Sequence, residues 1–279
     1  MLEKYSDNSK YLSGDYLVGD NFTLDEIKQW YKEEEEAYCE LTGGKSDEYL
    51  YQNVNNFYGL KNAIKNINNT TNIKILCFGA AYGGEVKGII ELLNKFKLSD
   101  AKITIIDSSS EMLEIARKEL KVDTVKANVD GKIDCLDQAF DLITCFGVLH
   151  HIPNVSYVFS ELIRVLKKDG TFLLREPISS MGDWSKKRLG TTINERGLGV
   201  NYIKNLVLTN NVKIKKFNFL LFSPFLLLVN NLKLDIDNKV IIYTDYILSK
   251  LFSKNIKYNR VSIFKKFAPG SIYLVINKI

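Results

Sequence analysis

The two histidines of the chain stand side by side, His150 and His151, at the end of the apolar stretch FDLITCFGVLHHIPN. An imidazole with a pKa near ~6.5 is the natural base for a hydroxyl at neutral pH. Glu176 closes the next apolar run, TFLLRE, and is placed to orient such a ring as a base requires of its positioner. The expected catalytic set is His150 or His151 as base with Glu176 as orienter. A plainer role, capping a turn or lining a wall, stands beside it, because positioning alone can supply ~7–11 kcal/mol.

A second constellation binds rather than reacts. The run Ile75, Leu76, Cys77, Phe78 leads into Gly79, Ala80, Ala81, Tyr82, Gly83, Gly84, a small-residue turn at a helix start where backbone can approach a ligand closely. Gly79, Ala81 and Gly84 approximate a dinucleotide fingerprint with one glycine replaced, a pattern that a bare turn also produces. The next apolar run, KITIID, ends on Asp107, followed by Ser108 and Glu111 at capping-box spacing. An acid at the end of a second strand can accept hydrogen bonds from both hydroxyls of a ribose.

These residues need a scaffold that brings strand ends together. From Ile73, short apolar runs alternate with amphipathic stretches, the signature of a parallel sheet covered by helices. Five strands in doubly wound order are expected, with a turn at Lys168, Asp169 and Gly170 before the fifth, then VKIKKFNFL and GSIYLVINK as strands six and seven. About fifty residues separate the last two where a hairpin would suffice, and we read them as a cap or a homodimer element. Residues 1–70 form an N-terminal helical extension, its main helix starting at the capping box Thr23–Glu26 and ending near Gly43 and Gly44. The acidic run Glu33 to Glu36 reads as a solvated helix face.

Composition narrows the class. A chain of 279 residues, 46% hydrophobic and 25% charged, suits one ordinary globular core, and a net charge of +5 implies no special polyanion partner. The one dense basic cluster, Lys186, Lys187 and Arg188, is too little for a nucleic-acid surface. Four cysteines without CxxC pairing suggest a reducing compartment, and the polar N-terminus lacks a signal-peptide core, so the expected location is cytoplasmic. The apolar run Phe217 to Val229 is shorter than the ~20 residues of a membrane span and contains Pro224, so no stable membrane insertion is expected. With no third ligand implied near the paired histidines, no metal is expected either.

The stretches DSSSEMLEIA, FDLITCFGVLHHIPN and ELIRVLKKDGTFLLREP together resemble the class I S-adenosylmethionine-dependent methyltransferase family over about residues 73 to 178. The resemblance implies an α/β, Rossmann-like doubly wound sheet of seven strands with the last antiparallel, a methyltransferase domain over residues 71–279, and residues 1–70 as a lid. It implies S-adenosyl-L-methionine as cofactor and S-adenosyl-L-homocysteine as product. Gly79, Ala80, Ala81, Tyr82 and Gly83 would line the methionine moiety, Asp107 the ribose with Ser108 and Met112 beside it, Asn128 and Val129 the adenine edge, and Cys145, Phe146 and Gly147 the sulfonium side. Cys77, Ala81 and Asn128 depart from the family's pattern, where an acid, a glycine and an acid are usual.

The loop of residues 178–200 falls beside the strand ends, where acceptors bind in such sheets, and residues 220–262 would form the cap. Arg175, Asp183, Trp184, Arg188 and Arg196 are the expected acceptor contacts, the arginines for phosphate or carboxylate and Trp184 for a sugar face. REPISSMGDW followed by ERGLG also resembles methyltransferases of bacterial capsule and lipopolysaccharide assembly, which implies O-methylation of a sugar, nucleotide-sugar or phosphorylated glycan precursor. Two alternatives stay open. One is a lipid or quinone methyltransferase using Phe217 to Val229 with Lys213, Lys215 and Lys216 at a membrane surface. The other is a catalytically silent cofactor-binding scaffold.

Overall fold

The computed structural model describes residues 9–42, 49–67, 71–182, 191–192, 194–260, 262 and 264–279. Its strands are β1 (Lys74–Phe78), β2 (Lys102–Asp107), β3 (Asp123–Lys126), β4 (Phe140–Phe146), β5 (Leu166–Pro177), β6 (Val212–Phe222) and β7 (Pro269–Lys278). They form one sheet in the order β3-β2-β1-β4-β5-β7-β6. β1 to β5 are parallel, and β7 runs antiparallel between β5 and β6. This is the expected seven-stranded Rossmann-like fold. Both its faces are covered, so the central strands are apolar throughout: Ile75, Leu76 and Leu142 are wholly buried.

The helices are α1 (Ser9–Leu12), α2 (Leu24–Thr42), α3 (Gln52–Tyr58), α4 (Leu60–Lys65), α5 (Gly84–Lys95), α6 (Ser110–Leu120), α7 (Val155–Val165), α8 (Val200–Thr209), α9 (Ser223–Asn231) and α10 (Lys239–Leu251). Each sheet-covering helix buries one stripe; in α7 it is Val155, Val158, Phe159, Leu162 and Ile163, at helical spacing. α2 opens as expected, with Thr23 N donating to Glu26 Oε2 at 3.0 Å and Glu26 N to Thr23 Oγ1 at 3.4 Å.

Three local expectations are corrected. The cap of α6 is Ser109, whose Oγ accepts from Met112 N, and not Ser108 with Glu111. Lys168, Asp169 and Gly170 do not form a turn before the strand but lie within β5. The β4–β5 register jumps there between Leu166 and Thr171, and Asp169 has a φ of 61°. The apolar run Phe217 to Val229 divides: up to Phe222 it belongs to β6, and from Ser223 it is α9, with Pro224 tolerated in the first turn.

β6 points the same way as β5, since both are antiparallel to β7. Its insertion therefore leaves from the strand-end side where β4 and β5 stop. α10 is anchored there by Asp245, which accepts from Leu221 N and Phe222 N, each at 2.7 Å. Asp237, before α10, accepts from Asn53 N and Val54 N at the start of α3 and so ties the insertion to the N-terminal segment.

Candidate active site

The turn after β1 and the end of β2 are stitched together by one carboxylate. Asp107 Oδ2 accepts from Ala81 N at 2.9 Å and Oδ1 from Ser109 N at 3.1 Å. Burial pushes its carboxyl above the ordinary range, and these backbone donors oppose that. A carboxylate has about four acceptor sites, and the exposed Ser108 hydroxyl that also bears on Asp107 can give way to a ribose hydroxyl. Gly79 has φ +73°, and a Cβ there would lie 2.3 Å from Val148 Cγ1. Only glycine leaves room for that approach, and Gly83 at φ +80° turns the chain into α5.

The other expected cofactor residues fall around this turn. Ala80 is buried, whereas Ala81, Tyr82 and Met112 are half-buried and Ser108 is exposed. Asn128 donates to Lys132 O and Asp134 Oδ2, each at 2.9 Å, and Val129 beside it is exposed. Gly147, at φ +75°, has ordinary space above its Cα, the nearest atom being His150 Cε1 at 3.7 Å from a notional Cβ. Cys145 is wholly buried in the sheet and the Phe146 ring faces Tyr273 and Arg175, so at these two positions only the backbone is left to face a ligand. With open space above Gly147 and an acid at the end of β2 bonded across the turn, the residues fit S-adenosylmethionine.

Glu85 in the first turn of α5 is buried and accepts from Thr144 Oγ1 at 2.8 Å. Burial pushes its carboxyl up to about 7, against the pull of Thr144 and Arg175. Arg175 is buried too, its guanidinium 4.2 Å from the centre of the Tyr51 ring and its Nε without a hydrogen-bond partner. It sits in the wall beside Gly147 rather than in an exposed loop.

At the end of β4 the chain makes a single tight turn, Leu149–His151, and here the histidines part company. Glu176 Oε1 accepts from Val148 N at 2.9 Å and Leu149 N at 2.8 Å, while Oε2 meets His150 Nδ1 at 2.8 Å. The expected orienter thus meets His150 alone. His150 Nε2 faces Glu195 Oε1 at 3.5 Å. Burial would lower the His150 pKa, but the bonds and charges of Glu176 and Glu195 outweigh it and hold it up at about 9. His151 Nδ1 meets Glu34 Oε2 on α2 at 2.9 Å.

Two of these acids escape a sequence reading. Glu34 lies in the run taken as a solvated face, yet it is buried and also accepts from Thr192 Oγ1 and Asn194 N. Its position was legible in the spacing of Ile27, Trp30 and Glu34, which share one helical face. Glu195 had no such signal, because only the loop before α8 delivers it. Arg196 is the reverse case. It is fully buried and donates to the main-chain oxygens of Val18, His150, Ile152 and Pro153, so it braces the site instead of gripping an acceptor. Asp183, Trp184 and Arg188, with Lys186 and Lys187, lie outside the described residues.

Residues 78–174 match the family model described as a methyltransferase domain. Among curated relatives, a ubiquinone biosynthesis O-methyltransferase of Actinobacillus pleuropneumoniae is 34% identical over 79 residues, 25% of this chain and 34% of that protein. A demethylmenaquinone methyltransferase of Thermotoga maritima is 35% identical over 89 residues, 32% of this chain and 39% of that protein. The matches thus span little more than a third of those relatives. In fold, the chain is similar to an S-adenosylmethionine-dependent methyltransferase from Mesorhizobium loti, with TM-score 0.50, 14% identity, and coverage of 78% and 96% of the two chains. It is also similar to the [4+2]-cyclase SpnF, with TM-score 0.53, 14% identity, and coverage of 95% and 98%. These two likenesses concern fold alone.

Proposed function

We propose that the chain is an S-adenosylmethionine-dependent O-methyltransferase whose acceptor is a hydrophobic, quinone-type hydroxyl compound met at a membrane surface. The observation that carries the cofactor half is the Asp107 carboxylate bonded across the glycine turn. Asp107 would hold the ribose, Gly79 to Gly83 the methionine moiety, Asn128 and Val129 the adenine edge, and the backbone at Gly147 the sulfonium side. When bound, the cofactor supplies a methyl group on a positively charged sulfur. The carboxylate–imidazole cluster of His150, Glu176 and Glu195 stands at the end of β4 to orient the acceptor hydroxyl, Glu176 fixing a His150 ring that, with its pKa held up at about 9, is a proton donor rather than a base at neutral pH.

The acceptor half rests on the insertion. Leu227, Leu228, Leu232, Val240, Tyr243 and Leu251 of α9, α10 and their connection are exposed, and Lys233, Lys239, Lys250 and Lys254 stand among them. Apolar side chains rimmed by lysine suit an anionic lipid surface, and no described helix is long and apolar enough to cross a membrane. The element differs from the one expected, because Leu220 and Phe222 of the apolar run are buried in the sheet. The names of the quinone-methylating relatives point the same way, and none of those compared is named for a glycan.

Calorimetric titration with S-adenosylmethionine and S-adenosylhomocysteine tests the first half: micromolar binding lost in Asp107→Ala supports it, and no binding overturns it. Methyl transfer to an isoprenoid-tailed hydroxyquinol but not to nucleotide-linked sugars supports the second half. The opposite preference restores the glycan reading.

A further inference from the structure

We propose that His150, His151 and Glu195 form a binding site for a first-row divalent metal ion. One donor atom from each residue lies within 4.8 Å of those of the other two. His150 Nε2 and Glu195 Oε1 are already 3.5 Å apart, close to the ~3.4 Å that separates two ligands on ~2.1 Å bonds at a tetrahedral centre.

The surroundings are those that a metal centre needs. Each imidazole has its Nδ1 on a buried carboxylate, His150 on Glu176 at 2.8 Å and His151 on Glu34 at 2.9 Å. A carboxylate at Nδ1 holds the proton there and leaves Nε2 as the donor atom, the arrangement that orients histidine ligands in metal sites. The carboxylates are themselves fixed: Glu176 by Val148 N and Leu149 N, Glu34 by Thr192 Oγ1 and Asn194 N, and Glu195 Oε2 by Thr192 N at 3.0 Å.

Charge gives an independent argument. Glu34, Glu176 and Glu195 place three carboxylates around two imidazoles in a largely buried space. The adjacent Arg196 directs its guanidinium to main-chain oxygens, and its buried charge, felt at Glu34, offsets part of that negative charge. A bound metal ion would offset the negative charge that remains. The His151 side chain is 35% exposed, which leaves a route for an ion and an open coordination position.

Two imidazoles and one carboxylate form a borderline nitrogen-rich set, which favours zinc, manganese or iron over magnesium or calcium. Resting on the methyltransferase reading for this point only, an acceptor hydroxyl entering the open position would have its oxygen polarised, and its proton would pass to solvent water. In the loaded site His150 is then a ligand and not the base. The expectation of no metal came from the missing third ligand, which Glu195 supplies.

The test titrates the chelator-stripped full chain with Zn²⁺, Mn²⁺ or Mg²⁺ alone by calorimetry, and with Co²⁺ followed by visible absorption. One equivalent of Zn²⁺ should bind at micromolar or lower concentration, Mg²⁺ should not, and Co²⁺ should give ligand-field bands. Glu195→Gln and His151→Ala should each weaken binding by tenfold or more, and Glu34→Gln, a change in a positioning residue, by ~10–100-fold. Should His151→Ala fail to fold, His151→Gln takes its place. Absence of stoichiometric Zn²⁺ binding, or binding untouched by Glu195→Gln, overturns the site. S-adenosylhomocysteine titrated into the same samples separates the two readings: binding without zinc refutes only the metal site, and zinc without that binding refutes only the enzyme.

Discussion

Glu34 Oε2 meets His151 Nδ1 at 2.9 Å across 117 positions of sequence, and the same carboxylate accepts from Thr192 Oγ1 and Asn194 N. One side chain of α2 thus holds the turn after β4 and the loop before α8 at once. Glu34→Ala removes the acceptor and leaves partly buried donors unsatisfied, which costs about 1–3 kcal/mol. The expected result is a lower urea midpoint at unchanged slope; an unchanged midpoint would show that α2 docks without this contact.

Glu85 links stability to pH. Its carboxyl is pushed up to about 7 in the native chain by burial, from an ordinary 4.5. Between those values the native state holds a proton that the unfolded state has released, so stability falls as pH rises from 4.5 through 7. A shift of that size corresponds to something on the order of 3 kcal/mol. Glu85→Gln should flatten this part of the stability–pH curve measured by chemical denaturation, and a parallel slope in the variant would assign the dependence to other groups.

Arg196 spans four carbonyl oxygens with a planar fork and lies over Trp30, with Cζ 4.9 Å from the ring centre. Lysine keeps the charge but cannot reproduce that geometry. Arg196→Lys should cost about 2 kcal/mol or more through unmet carbonyls and should raise amide exchange at Ile152 and Asn154. Exchange rates equal to the wild type would mean that the bracing is redundant.

The insertion should bind vesicles containing anionic lipid, weakly and with strong salt dependence, and should ignore neutral ones. Val240→Glu with Leu251→Glu places acids among exposed leucines without touching the core and should abolish co-sedimentation. Retained binding in this double variant would place the membrane contact elsewhere.

The sheet was legible because short continuous apolar runs alternate with amphipathic stretches from Ile73 to Pro177, as parallel strands covered on both faces require. Asp107 and the glycine turn were legible for the same reason, since strand ends fix where they point. Glu195 and Arg196 were not, and for Glu34 the helical spacing told of burial but not of its partners. Their roles depend on which loop crosses which strand end, and no local pattern encodes that. Arg196 was misread because a buried guanidinium and a ligand-gripping one look alike in sequence. His150 and His151 occupy one turn, yet Glu176 reaches only His150 and Glu34 only His151, a distinction set by tertiary placement.

The contacts of α2 and α3 bear on how the chain is made. Asp20 waits for Tyr202, Glu34 for His151, Asn53 for Asp237, and Asn55 for Tyr273, separations of 182, 117, 184 and 218 positions. During synthesis α2 and α3 emerge before β1 and find these partners after it, whereas β1 to β5 can assemble in the order they appear. The cofactor-binding strands should therefore consolidate while α2 and α3 are still undocked, and the tie of Glu34 to His151 and Thr192 should form only once the loop before α8 has been made.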